Sequence, residues 1–121
     1  MFTDEASQSE ALKSTFSEMR NAGWNPDDDL LWGYFFIDDD PQKFGPLRAH
    51  LEQMGFTVVG ISELADENEE PSGEHMLHVE KVETHGPSSL AKRNVEFTDL
   101  ALEFGIRDYD GWDVGKVPAV T

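Results

Sequence analysis

The run Leu30-Leu31-Trp32-Gly33-Tyr34-Phe35-Phe36-Ile37 constrains this chain more than any other segment. It lies between two aspartate triplets, Asp27-Asp28-Asp29 and Asp38-Asp39-Asp40. A membrane span needs about 20 apolar residues, so this run is too short, and no other stretch is longer. Its length and aromatic content predict a strand rather than a helix. Unbroken apolarity further predicts a central strand covered on both faces. Alternation puts Trp32, Tyr34 and Phe36 on one face and Leu31, Phe35 and Ile37 on the other.

The rest of the chain is punctuated around that strand. Residues 4–22 predict a helix, with Leu12, Phe16 and Met19 on one face and Gly23 as its stop. Asn25-Pro26-Asp27 begins a turn. After the strand, Asp40 is placed to cap a helix whose first residue is Pro41. Phe44, Leu47, Leu51 and Met54 form its stripe, Gly55 ends it, and Pro46 predicts an irregular first turn. Strands are expected at Phe56–Ile61 and His75–Thr84, separated by an exposed acidic loop from Asp66 to Glu74. Ser88 or Ser89 is expected to cap a third helix with the stripe Leu90, Asn94, Phe97, Ala101 and Phe104, closed by Gly105. A short last strand is expected near Asp108–Val114.

After the first helix the order is β-α-β-β-α-β, the split βαβ or ferredoxin-like motif. The expected fold is therefore α+β. It has a four-stranded antiparallel sheet, two helices on one face, and the strands starting at Leu30 and His75 in the middle. The chain reads as a single domain over 1–121, with the N-terminal helix, a core over about 30–115 and a short tail at 116–121. One apolar face of the sheet is left over. A large bare apolar patch is rare on a monomer, so the N-terminal helix is expected to cover it, with a second copy as the alternative.

Charge bounds the function. Nine basic residues against 25 acidic ones give a net charge of −16, which repels phosphate backbones and argues against direct nucleic-acid binding. Cysteine is absent, which excludes disulfides, thiol catalysis and thiolate metal sites. The acidic start Met1-Phe2-Thr3-Asp4-Glu5 predicts no secretory signal, so a cytoplasmic location is expected, with no membrane association. In the expected topology three connections emerge at one end of the sheet. They carry Asp38, Asp39 and Asp40; then Asp66, Glu67, Glu69, Glu70 and Glu74; then Asp108 and Asp110, with only Lys43 and Arg107 nearby. Such a field attracts cationic partners, most strongly at low salt. The bland alternative is a solvated surface that keeps the protein in solution.

Catalytic signals are weak. His75 and His78 fall on opposite faces of a strand, and no helical His-Glu-x-x-His is present. Neither aspartate triplet has the alternate spacing and glycine of a calcium loop. No Gly-x-Ser-x-Gly, phosphate-cradling glycine loop or nucleophile–base signature occurs. No metal and no cofactor are expected. An enzyme using His78 or His85 with Glu80 or Glu83 would need those groups paired in a deep pocket.

Asp108-Tyr109-Asp110-Gly111-Trp112 is the distinctive segment. It reads either as a turn into an edge strand with Trp112 covering the core, or as an aromatic anchor flanked by acids, suited to Arg- or Lys-rich peptides. Leu102-Glu103-Phe104-Gly105-Ile106 leading into Tyr109-Asp110-Gly111-Trp112 resembles the regulator of ribonuclease activity B (RraB) family, over roughly residues 5–115. The resemblance implies a ferredoxin-like sandwich and a non-enzymatic protein that binds ribonuclease E, whose scaffold region is rich in arginine, and restrains its activity. It carries over Tyr109, Asp110, Gly111 and Trp112 as family markers. The expected function is a protein–protein regulator that binds a basic segment through Asp38, Asp39, Asp40, Glu67, Glu69, Glu70, Asp108, Tyr109, Asp110 and Trp112, as monomer or homodimer. The alternative is a small-molecule-binding dimer of ferredoxin-like domains.

Overall fold

The computed structural model describes residues 5–117. Helix α1 spans Glu5–Asn21, strand β1 Leu30–Asp38, helix α2 Phe44–Gln53, strand β2 Thr57–Ala65, strand β3 Pro71–Glu83, helix α3 Pro87–Glu103 and strand β4 Asp108–Gly115. The fold is α+β: one antiparallel sheet in the order β2-β3-β1-β4, with three helices. The apolar run is therefore an inner strand, with β3 on one side and β4 on the other. Residue 4 of the predicted first helix and residues 118–121 of the predicted tail lie outside the described residues.

Local chemistry explains the elements. The Asp40 carboxylate accepts the Gln42 N–H at 3.0 Å, and Pro41 opens a single 3-10 turn, Pro41–Lys43, that leads into α2. Pro46 sits in the first turn of α2, where a missing N–H forfeits no helical bond. The irregular helix start is that 3-10 turn. Helix α3 begins one residue before the two serines proposed as its cap. Pro87 opens it, and Ser89 lies inside the first turn, where its hydroxyl accepts the Gly86 N–H at 2.9 Å.

The core lies on one face of the sheet. Trp32, Tyr34 and Phe36 of β1 and Leu77 and Val79 of β3 are fully buried there. They join Phe44, Leu47 and Leu51 of α2 and Leu90, Ala91, Phe97 and Ala101 of α3 in one cluster. Helix α1 belongs to this same cluster through Leu12 and Phe16, and it packs against α3. This corrects the expectation that α1 covers the opposite face. The reason is Trp32: its large ring near the start of β1 needs a third helix, and Phe16 stacks on it at 6.1 Å. Leu31, Phe35 and Ile37 are consequently half-buried rather than sealed, shielded by sheet neighbours such as His78, whose ring stacks on Phe35 at 4.4 Å.

Two details of the sheet bear on function. Strands β2 and β3 are longer than expected, and only 66–70 is turn; Pro71–Glu74 is strand. The ladder continues because Ala65 pairs with Pro71 and the Ser72 hydroxyl donates to the Leu64 carbonyl at 2.8 Å. Acidic side chains on an exposed hairpin point to water and do not break that pairing. In β4, a register shift opposite Phe35 and Phe36 is accommodated by Gly111 at φ +109°, a backbone angle that favours glycine.

Candidate functional site

The acidic end of the sheet is built from Asp38 outward. As the last residue of β1 it points to the helix-covered side, with a side chain only 4% exposed. Its Oδ1 accepts the Asp40 N–H and its Oδ2 accepts the Arg107 N–H, both at 2.9 Å. Burial opposes its ionisation, but those backbone donors and the Lys43 ammonium at 3.7 Å outweigh it, and its carboxyl stays below the usual carboxylate range. One carboxylate thereby pins the end of α3 and the start of β4 to the end of β1.

That pin places the Arg107 side chain. Its guanidinium donates to Asp39 at 2.5 Å, to Asp108 at 3.1 Å and to Glu74. Acids from β3, β4 and the connection after β1 thus meet around one arginine that is itself 41% exposed. Asp38, Asp39 and Asp108 are brought together here, with Glu74 of β3. Asp40 turns instead to its capping bond, and Asp110 is exposed on β4.

Glu67, Glu69 and Glu70 occupy a separate place. Asp38 pairs with His75, while β3 extends four residues further back, to Pro71. At about 3.3 Å per residue, the hairpin overhangs the end of β1 by roughly 13 Å. The turn is shaped by Asp66, whose Oδ1 accepts the N–H groups of Asn68 at 2.8 Å and Glu70 at 3.0 Å. The three glutamates stand exposed around it. The acidic surface is therefore a cluster at the sheet end plus a protruding acidic arm.

Tyr109 and Trp112 face the helix-covered side. The Tyr109 ring lies 5.3 Å from Phe36 and 5.7 Å from Phe97, and its hydroxyl donates to Asn94 Oδ1 at 2.7 Å. Burial raises its pKa well above the usual phenol value. Trp112 lies 5.4 Å from Trp32. Both are half-buried and close the core under β4. A cavity of about 180 Å³ opens beside Tyr109 between α3 and β4, lined by Thr98, Leu102, Ile106, Asp108 and Tyr109 among others.

A second polar cluster sits where β3 meets α3. Glu83 accepts from Arg93 through both oxygens, at 2.7 and 3.0 Å, and from the Tyr34 hydroxyl at 2.8 Å. His85 contacts Glu83 at 3.1 Å and Tyr34 at 3.0 Å through Nε2, and Ser89 at 2.9 Å through Nδ1. Burial raises the Glu83 pKa, yet the bonds from His85, Arg93 and Tyr34 outweigh it and lower it to about 2. Burial, then the Glu83 charge, pushes the Tyr34 hydroxyl well above its usual range. The network ties α3 to β3 and β1. Sequence reasoning leaves His78 or His85 beside Glu80 or Glu83 as alternatives, of which the structure joins His85 and Glu83, and it misses Arg93, whose place one turn after Leu90 on the buried stripe is the available signal.

Among the described residues no three His, Asp or Glu side chains gather so as to hold a metal ion, and no helix is long and apolar enough to cross a membrane. The family model for "Regulator of ribonuclease activity B" matches residues 9–114. No curated protein matches the chain. The matched span takes in α3, all but the last residue of β4, the Tyr109–Trp112 segment and the acidic sheet end. The chain belongs to the regulator of ribonuclease activity B family.

Proposed function

We propose that this protein is a non-enzymatic, cytoplasmic regulator that docks on a basic, arginine-rich segment of a ribonuclease, ribonuclease E by resemblance, and restrains it by occupying its RNA-binding or scaffold surface. The family match over residues 9–114 carries this reading, because it supplies a ribonuclease as the protein partner. The charge supports the finer part. Net charge is −16, and Asp39, Glu74 and Asp108 around Arg107 continue into Glu67, Glu69 and Glu70 on the hairpin arm. An Arg-rich segment meets carboxylates along that whole path, and long-range attraction speeds the encounter. Asp38, Asp40 and Asp110 contribute to the field, Asp38 and Asp40 from capping positions. For Tyr109 and Trp112 we propose a supporting role: they hold β4 against the core and so position Asp108 and Asp110.

The single domain would then be a ferredoxin-like split βαβ sandwich preceded by α1, acting as a rigid platform. Regulation needs no catalytic group. The test is affinity purification with this protein at low and moderate salt. Recovery of a ribonuclease at low salt, reduced at moderate salt, supports the reading; binding indifferent to salt, or no basic partner, overturns it. The half-buried face of Leu31, Phe35 and Ile37 favours a homodimer as the second reading. Sedimentation equilibrium distinguishes the two states.

A further inference from the structure

We propose that β2 is the docking edge, taking an extended basic segment of the partner as a fifth, backbone-paired strand. This rests on the docking reading above and specifies where and how the segment sits. Strand β2 is an outer strand that, among the described residues, pairs with β3 alone, which leaves one side of its backbone unpaired. A free edge of this kind is a template for another strand unless lysine, proline, charge or bulges guard it.

The two outer strands are guarded by different means, β4 by charge and a bend, β2 by two register shifts with a regular stretch between them. Strand β4 carries Asp108, Asp110 and Asp113 and is bent at Gly111. Strand β2 reads Thr57-Val58-Val59-Gly60-Ile61-Ser62-Glu63-Leu64-Ala65, with one charge, no proline and no lysine. Val59 is 52% and Ile61 39% exposed. Register shifts fall between Val58 and Gly60 and between Glu63 and Ala65, leaving Gly60–Glu63 as the regular stretch. A shallow groove of about 180 Å³, lined by Val59, Gly60, Ile61, Ser62, Met76 and His78, runs beside it.

Charge selects the occupant. From 55 to 74 there is no Lys, Arg or His, while Glu63, Asp66, Glu67, Glu69 and Glu70 are all exposed. Ile61 and Glu63 share one face of the strand, so an extended segment with an apolar stretch beside a basic one lays the first against Val59 and Ile61 and its cations along Glu63 and the hairpin carboxylates. A second copy, itself at −16, is repelled from the same edge.

The experiment titrates the full chain with a synthetic peptide in which a valine block is joined to an arginine block. The comparison is the same peptide N-methylated at every backbone amide, which keeps each charge and removes strand pairing. Amide hydrogen exchange is followed throughout. We expect the unmethylated peptide to bind about tenfold more tightly and to slow exchange at Gly60–Glu63. Equal, salt-dependent binding of both peptides overturns strand addition and leaves the docking reading standing. Binding of neither overturns the docking reading and strand addition with it. Protection of β2 in the free chain, together with a dimeric mass, assigns the edge to a second copy and overturns the proposal.

Discussion

Two arginines hold carboxylates in opposite surroundings, one open to water and one largely enclosed. Arg107 is surrounded by three carboxylates from two strands and a connection, yet it is 41% exposed, and Asp39 and Asp108 beside it are 71% and 58% exposed. Arg93 grips one carboxylate with both arms, has Glu96 at 3.4 Å, and is 18% exposed, with its guanidinium over the rings of Tyr34, Phe56 and Phe97 at 5.2–5.6 Å. Water and salt screen the first cluster and barely reach the second. Counting partners would rank Arg107 as the more important residue; burial reverses the ranking. The Glu83 end holds helix to sheet, and the Arg107 end keeps its acids available at little cost to stability.

The comparison breaks most visibly at Arg93. Arg93→Met strands a buried Glu83 carboxylate and should lower unfolding free energy by about 3–5 kcal/mol in urea titrations. For a domain of this size that is a large share of total stability. A loss below about 1 kcal/mol would mean that the network is not what joins α3 to the sheet. Acid tests the same cluster. The Glu83 pKa is depressed from 4.5 to about 2, so its stabilisation is present above pH 4.5 and is lost as pH falls toward 2. Asp38 shifts in the same direction and adds to the loss. Glu83→Gln should start less stable at neutral pH and lose less between pH 5 and 2; parallel curves would assign the acid sensitivity elsewhere.

Asp38→Ala comes next. It leaves the N–H groups of Asp40 and Arg107 without their acceptor and should cost about 1–3 kcal/mol, with faster amide exchange at the start of β4. Arg107→Ala should cost the least, below about 1 kcal/mol, and its small effect should shrink further in added salt. A larger loss would make the exposed cluster structural and collapse the division between the two arginines.

How far all this is legible beforehand depends on range. The stripe Phe44, Leu47 and Leu51, the Asp40 cap and the alternation of Trp32, Tyr34 and Phe36 are readable because each rests on neighbours within one turn or one strand. The resemblance at Tyr109–Trp112 is readable because it is a contiguous string. The side on which α1 packs is not, because Leu12 and Phe16 offer the same apolar stripe to either face, and only the distant Trp32 chooses. Arg93 escapes because a cation on a buried stripe reads as an interruption until Glu83 is known to lie opposite. At the acidic end, Asp38, Asp39 and Asp108 are legible from loop order, whereas the hairpin's reach is not. Pairing across Ala65 and Pro71 depends on a register that composition does not encode.

The central position of β1 has a further consequence during synthesis. Trp32 and the Glu83 carbonyl it bonds are 51 positions apart, and Asp38 and the Arg107 amide 69. The most adhesive segment therefore leaves the ribosome long before either neighbouring strand exists, and joining such distant pieces is slow. The aspartate triplets at 27–29 and 38–40 bracket it as gatekeepers throughout that interval, holding one nascent chain off the next.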